Sequence, residues 1–430
     1  MLNNIKKIIN KIDLFLYRQF GSEKTLKILQ NIKETKVIFS SLNEVEKKNE
    51  VRFVGGCIRK SLSGQNVDDI DLATSLEPNE VKKRLNKKKI KVIDTGISHG
   101  TLTAILNNKK FEITTLRKDV TTDGRHANVE FTTNWEQDAL RRDFTINAIY
   151  ADIDGRIFDP LNGILDLKRG EVKFIGLPEN RIQEDYIRIL RYFRFFLEYS
   201  KTEHKKDTIQ SIKRNINGLN KVSNERIFSE LKKIISLKNV NNLFKNNQSK
   251  EIILSIFPEI KYHERLNNFN NLNKELKNKY DNDLILGLMV IDQSNNHEYF
   301  CHKYKTSNNV KKRFNNISKN YENLKNSKFF SEYNIKRLIY FTSRDEVKDL
   351  LLFFSCINKK VQNINIHKLL NFINNYKIPK FPVSGDYLKI NGYEPGKEMG
   401  KKLKLLEEKW VDNNFTLKDE ILKKILKNYK

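Results

Sequence analysis

Two aspartates spaced two residues apart, Asp69 and Asp71, follow a Gly-Gly pair and an arginine in the stretch VRFVGGCIRKSLSGQNVDDIDLAT that begins at Val51. In an extended chain, side chains two apart lie on one face with Cα atoms roughly 6.5–7 Å apart, so both carboxylates can converge on the same divalent ions. Mg2+ is a hard cation that takes oxygen ligands, and two such ions can clamp the attacking and leaving oxygens of a phosphoryl or nucleotidyl transfer. Glu112 offers a third carboxylate, in the alternating run Phe111-Glu112-Ile113-Thr114-Thr115 after a short Asn107-Asn108 turn. Alone, an Asp-x-Asp is more often a solvated strand end or turn. Here the segments around it favour chemistry.

The elements that must hold these groups can be read from the pattern around them. Val51, Phe53 and Val54 predict a strand, Gly55-Gly56 a tight turn whose backbone N–H groups can approach phosphate, and Cys57 to Leu62 the opening of a helix. Gly56 and Arg59 thereby face a nucleotide. Further strands are expected near Asp69–Leu72, Val92–Asp94, Thr101–Leu106 and Phe111–Thr115, with Glu112 on a hairpin arm. The polar segment from Leu116 to Trp135 predicts a mobile loop over the site. From about Asp152 helical periodicity takes over, apart from a short hairpin Ile153–Phe158 and a strand Val172–Ile175. Asp185, Arg188, Arg191 and Arg194 recur at i, i+3 and predict one stripe of a helix, beside an apolar face of Ile187, Leu190, Phe193 and Leu197. Arginine and aspartate present planar donors and acceptors, which suits the edge of a base.

Four further segments, taken with these, carry a resemblance. They are RRDFTINA at Arg141–Ala148, FDPLNG with DL at Phe158–Leu167, EDYIRILR at Glu184–Arg191 continuing to Arg194-Phe195, and ERI with EL at Glu225–Leu231. In this order they resemble the class II tRNA nucleotidyltransferase and bacterial poly(A) polymerase family. The resemblance implies an α+β chain: a DNA polymerase β-like nucleotidyltransferase head with a mixed sheet, then an elongated all-α neck, body and tail. It further implies Asp69, Asp71 and Glu112 as catalytic, with Asp69 and Asp71 holding Mg2+. Arg142 would contact the ribose, Asp185 and Arg188 would pair with the base of CTP or ATP, and Arg191 and Arg194 would add nucleotide contacts. Arg117, Asp119, Arg125 and His126 become candidate RNA contacts near the primer end. The expected divisions are an N-terminal helix 1–35, head 36–151, neck 152–238, body 239–375 and a tRNA-binding tail 376–430. One position departs from the pattern: Lys60 follows Arg59 where the family usually has Asp, removing a possible orienting partner for that arginine. The expected activity is CCA addition to tRNA, with poly(A) polymerase or a partial CC- or A-adding enzyme as the nearest alternatives. A non-catalytic RNA-binding scaffold is a more distant one, against which the intact Asp-x-Asp speaks.

Bulk properties agree with an RNA partner without identifying one. Among 430 residues, 80 Lys+Arg face 53 Asp+Glu, a net charge of +27, which favours polyanions through counterion release and steering. Three scattered cysteines argue against a disulfide framework or zinc site and suit a reducing cytoplasm. No apolar window is long enough for a transmembrane helix, and the amphipathic Met1–Phe20 reads as an ordinary N-terminal helix rather than a presequence. If the basic excess engages RNA phosphates, raising salt from about 50 to 200 mM should weaken RNA binding by orders of magnitude. A flat response in a filter-binding titration would mark the excess as compositional.

Overall fold

The computed structural model describes residues 26, 29–43, 51–67, 69–122, 127–357 and 365–417, with backbone alone at 98, 119–122, 127, 128, 325 and 327. The N-terminal segment Met1–Phe20 lies outside them. The chain divides into two compact units, Met1–Ile252 and Ile253–Lys430.

The first unit is built on a mixed seven-stranded sheet. Its strands are β1 (Val51–Val54), β2 (Ile70–Thr74), β3 (Lys91–Gly96), β4 (Thr101–Leu106), β5 (Lys109–Thr115), β8 (Tyr150–Ala151) and β9 (Ile157–Phe158), in the order β3-β4-β5-β2-β1-β8-β9. Only β2 and β5 run parallel; the other neighbours are antiparallel. Period-two alternation assigns the faces. Val51, Phe53, Ile70, Leu72, Phe111 and Ile113 are buried with Ile38, Phe39 and Leu42 of α1 (Lys33–Leu42), Cys57 and Ile58 of α2 (Gly56–Leu62), and Val81 and Leu85 of α3 (Pro78–Lys87). The opposite face buries a smaller set, Val54, Ala73, Leu116 and Tyr150, against Ala139 of α4 (Trp135–Leu140). That set leaves part of the face open for polar groups.

Two expectations are corrected here. The segment from Leu116 to Trp135 is not an irregular loop: β6 (Arg117–Thr122) and β7 (Ala127–Phe131) pair antiparallel as a separate two-stranded ribbon. Its sequence is too polar to read as a strand pair, and backbone pairing, with the cross-strand ion pair of Lys118 and Glu130 at 2.9 Å, sets its register. Val172–Ile175 forms no strand, only an isolated bridge between Phe144 and Phe174. The turn between β4 and β5 is as expected: Asn107 and Asn108 both have positive φ, 49° and 63°, which is the backbone of a two-residue type I′ hairpin.

Helices α5 (Gly163–Arg169), α6 (Pro178–Glu184), α7 (Arg188–Tyr199), α8 (Lys206–Asn215) and α9 (Asn224–Ile235) complete the first unit's principal framework. Phe144 of the RRDFTINA segment packs on Phe174 at 4.6 Å and on Phe195 of α7 at 5.4 Å, so the sheet-bearing part and the helices share an aromatic core. The second unit is helical among its described residues. Its buried Arg265 caps carbonyls at the end of Asn282–Val290, donating to Leu288 O and Ile291 O at 2.8 Å each.

His204 is a buried polar anchor of this framework. Its ring stacks on Phe196 at 3.7 Å, and its nitrogens meet Tyr192 Oη at 3.0 Å and Ser249 Oγ at 2.6 Å. Burial pushes its pKa down to about 4, against about 6.5 in an unfolded chain. Between those values the unfolded chain binds a proton that the folded one refuses, so this contribution to stability is lost as pH falls from 6.5 towards 4. Lowering the pH from 6.5 to 5 should therefore cost the wild type about 1–2 kcal/mol more than His204→Gln. Urea midpoints at the two pH values measure it, and parallel losses in both proteins would refute it.

Candidate active site

The parallel register of β2 and β5 sets Asp71 directly beside Glu112, and Asp69 stands just before β2. Asp69 and Asp71 alternate with Ile70 and Leu72, whose side chains enter the core, so all three carboxylates belong to the open face. Burial first, then the charge of Glu112, with Asp69 adding to it, pushes the Asp71 carboxyl up to about 6, against the opposing pull of Arg142 and Arg59. Such a set is short of positive charge and fits a divalent cation. Among the described residues, no three of His, Cys, Asp and Glu surround a single point as their side chains stand.

The Gly-Gly turn sits over the carboxylates. Gly55 has φ 66° and ψ −116°, a conformation that side chains oppose, and a Cβ on Gly56 would lie 3.2 Å from Asp71 Oδ2. The turn thus brings α2 close to the carboxylate without a side chain between. Cys57 packs behind it, buried, its thiol directed at Val54 O at 3.3 Å and Asp71 O at 3.4 Å.

Arg142 reaches the same place from the RRDFTINA segment, and its aim depends on Asp138. The carboxylate of Asp138, 1% exposed, accepts from Arg142 Nη2 at 2.9 Å, Arg141 Nε at 2.7 Å and Tyr150 Oη at 2.7 Å. Burial opposes its ionisation, but Arg142 and Arg141 outweigh burial and hold it below the ordinary carboxylate range. The sequence reading missed Asp138. Its only signal was an acid three and four residues before two arginines on a short helix.

A second buried carboxylate, Asp143, joins the sheet to the helices. It accepts from Asn147 Nδ2 at 2.8 Å and Arg191 Nε at 2.7 Å, while Asn147 Oδ1 accepts from Arg59. The guanidinium of Arg59 lies over Phe195 at 4.5 Å and Tyr199 at 5.0 Å. Asn147 and two rings therefore orient Arg59.

The expected stripe is only partly a helix face. Arg188, Arg191 and Arg194 belong to α7, but Asp185 is not helical: it follows α6 in an extended conformation, φ −157° and ψ 104°. Arg188 donates to Arg181 O at 2.9 Å and to Glu184. Arg194 Nε pairs with Glu230 Oε2 at 2.8 Å. Asp185 meets Arg226 of α9 rather than Arg188. Arg141, Arg142, Asp143, Asp185, Arg188 and Arg191 line a cavity of about 390 Å3 that α9 closes with Arg226 and Lys233. Of the expected RNA contacts, Arg117 donates to His99 O; Arg125, His126 and the side chain of Asp119 lie outside the described residues.

Residues 51–173 match the family described as Poly A polymerase head domain, and residues 205–263 that described as Probable RNA and SrmB- binding site of polymerase A. The CCA tRNA nucleotidyltransferase 1, mitochondrial, of Mus musculus is 37% identical over 395 residues, 90% of this chain and 89% of that protein. Its Homo sapiens counterpart is 36% identical over 89% of this chain and 88% of that protein. The chain belongs to the class II tRNA nucleotidyltransferase and poly(A) polymerase family. Its activity is that of a CCA tRNA nucleotidyltransferase. The fold agrees with two solved members: the Bacillus stearothermophilus CCA-adding enzyme in complex with CTP, TM-score 0.67 at 21% identity over 96% of this chain and 97% of that one, and the Thermotoga maritima CCA-adding enzyme complexed with tRNA_CCA, TM-score 0.64 at 21% identity over 95% and 98%.

Removing one partner of a buried ion pair costs about 3–5 kcal/mol. Asp138→Ala should therefore lower the urea midpoint markedly and depress nucleotide incorporation, with Asp138→Asn milder in both. A wild-type midpoint for Asp138→Ala would mean that the carboxylate does not organise the arginines.

Proposed function

We propose that this chain completes the 3′ end of tRNA with C, C and A from CTP and ATP, by nucleotidyl transfer at the Asp69, Asp71 and Glu112 face. The observation that carries the reading is the register of Asp71 beside Glu112, on a face that Arg142 connects to a cavity lined with arginine and aspartate. Asp69 and Asp71 would hold two Mg2+ ions, which when bound supply a more acidic 3′-hydroxyl and charge neutralisation on the triphosphate. Glu112 completes the acidic set beside Asp71. Gly56 lets the triphosphate approach the backbone closely, and Arg59 and Arg142 bring positive charge to the same place. Arg191, fixed by Asp143, faces the nucleotide from α7, and Arg194, held by Glu230 and not among the residues lining the cavity, is proposed to add a nucleotide contact beside it.

Base choice falls to Asp185 and Arg188. An ionised carboxylate only accepts hydrogen bonds and a guanidinium only donates them. Cytosine and adenine both offer an exocyclic amino donor where uracil and guanine offer a carbonyl, so an acceptor fixed at Asp185 favours the first pair.

The ribbon of β6 and β7, with Arg117, Asp119, Arg125 and His126, is proposed to meet the primer end. The neck 152–238, body 239–375 and tail 376–430 are proposed to grip the tRNA. Among the described residues no helix is long and apolar enough to cross a membrane. All three cysteines are buried free thiols, which suits a reducing compartment, and the cytoplasm is the one proposed.

Incubation with a tRNA transcript ending at the discriminator base, each nucleotide alone and all together, tests the reading on a sequencing gel. CTP with ATP should extend the transcript by three nucleotides and stop; a ladder of A tails would point to poly(A) polymerase. Asp69→Ala and Asp71→Ala should abolish extension while leaving tRNA affinity nearly intact, since the loss lies in transition-state charge neutralisation. Glu112→Ala should be severely impaired. Near wild-type extension by either aspartate variant would remove the two-metal assignment.

A further inference from the structure

The ion pair between Asp185 and Arg226 is out of proportion to any stabilising role. Arg226 Nη2 donates to Asp185 Oδ2 at 2.7 Å, with the two side chains 39% and 26% exposed. Pairs this open contribute little to stability, about 0–1 kcal/mol. Yet both residues line the cavity that also holds Arg142, Asp143, Arg188 and Arg191, and Arg226 arrives from α9, remote in sequence from the stripe.

The backbone at Asp185 is already fixed. Asp185 lies in the break between α6 and α7, and the next residue, Tyr186, rests its ring on Gly218, where any Cβ would overlap the ring. Ile187 N approaches Asp185 Oδ1 at 3.4 Å, a long contact. The freedom that remains is rotation of the carboxylate, and the one short bond that stops it is Arg226. Arg188 does not hold it: its side chain is drawn away to Arg181 O and Glu184. A carboxylate has about four lone-pair directions; with one given to Arg226 and one, at longer range, to Ile187 N, the remaining two keep a defined aim.

We propose that Arg226 determines the nucleotide selectivity of this site by fixing the orientation of the Asp185 carboxylate, acting as a positioning residue that need not touch the nucleotide. The inference rests on reading Asp185 as the acceptor for the amino group of the incoming base. A carboxylate free to turn accepts from amino donors in several poses and no longer sets its acceptor against the carbonyl of uracil or guanine in one place. Selectivity should fall before stability does.

Single-turnover extension of a tRNA transcript lacking CCA, with each of the four nucleoside triphosphates, decides the matter for the wild type, Asp185→Ala, Arg226→Ala and Arg226→Lys in the full chain. The preference for CTP over UTP should fall about tenfold in Arg226→Ala. Arg226→Lys, which keeps a charged donor without the fork, should recover part of it. Melting temperatures should stay close to wild type, and the double variant with Asp185→Ala should discriminate no worse than Asp185→Ala alone, as two residues acting through one contact require. If Asp185→Ala loses selectivity while Arg226→Ala keeps it, the role of Arg226 is overturned and the base-reading role of Asp185 stands. If Asp185→Ala itself keeps selectivity, the base-reading assignment falls. Equal slowing with all four nucleotides in Arg226→Ala, with a lowered melting temperature, would make the pair merely structural.

Discussion

Asp143 holds together parts of the first unit that are far apart in sequence. Its two oxygens serve Asn147 on one side and Arg191 on the other, and Asn147 passes the connection to Arg59 on α2. Burial opposes a charge there, but Arg191, Asn147 and Arg188 overcome it and keep the carboxyl well below its ordinary range. The Gly-Gly turn, the RRDFTINA segment and α7 thus meet through one buried anion. A neutral residue at this position would take the nearer carboxylate from the half-buried Arg191 and leave it only Glu230, at 4.0 Å. Phe144, one residue on, adds the aromatic packing against Phe174 and Phe195. Charge fixes the orientation of the junction and apolar contact gives it strength.

The carboxylate face of the sheet obeys a different constraint. Nothing in the local preferences of Asp69, Asp71 or Glu112 brings them together; the sole parallel pairing in the sheet does. A one-residue slip would send Glu112 into the core and Ile113 to the solvent face. The buried neighbours Ile70, Leu72, Phe111 and Ile113 forbid that slip. The hydrophobic effect on one side of the sheet therefore maintains an electrostatically unfavourable arrangement on the other, which is how a site can keep like charges adjacent.

Much of this was legible because strand alternation is a strong signal where one face is buried. Val51–Val54 and Thr101–Leu106 match their expected limits, and the Asn107-Asn108 turn forms the hairpin that carries Glu112. The ribbon of β6 and β7 was not legible, since Arg117–Thr122 has a single apolar residue, Val120, and so shows no apolar alternation. Asp138 escaped notice because its partners are set by burial, and an acid near arginines on a surface helix looks the same in sequence.

Asp185 shows most clearly where periodicity misleads. Spacing at i, i+3 places it on the same helical stripe as Arg188, yet helix α6 ends at Glu184 and α7 begins at Arg188. The helix is broken where Tyr186 must pack on Gly218, and a continuous helix would turn that ring elsewhere. The break changes what the residue can do. On a helix, Asp185 would satisfy Arg188 or Arg181 one turn away, and its acceptors would be spent on neighbours. In the extended conformation it leaves those arginines to Glu184 and Arg181 O, and takes its one short bond from another helix altogether. Breaking the helix thus separates two jobs that the stripe would have merged: Glu184 anchors the arginines, and Asp185 keeps its carboxylate on the wall of the cavity.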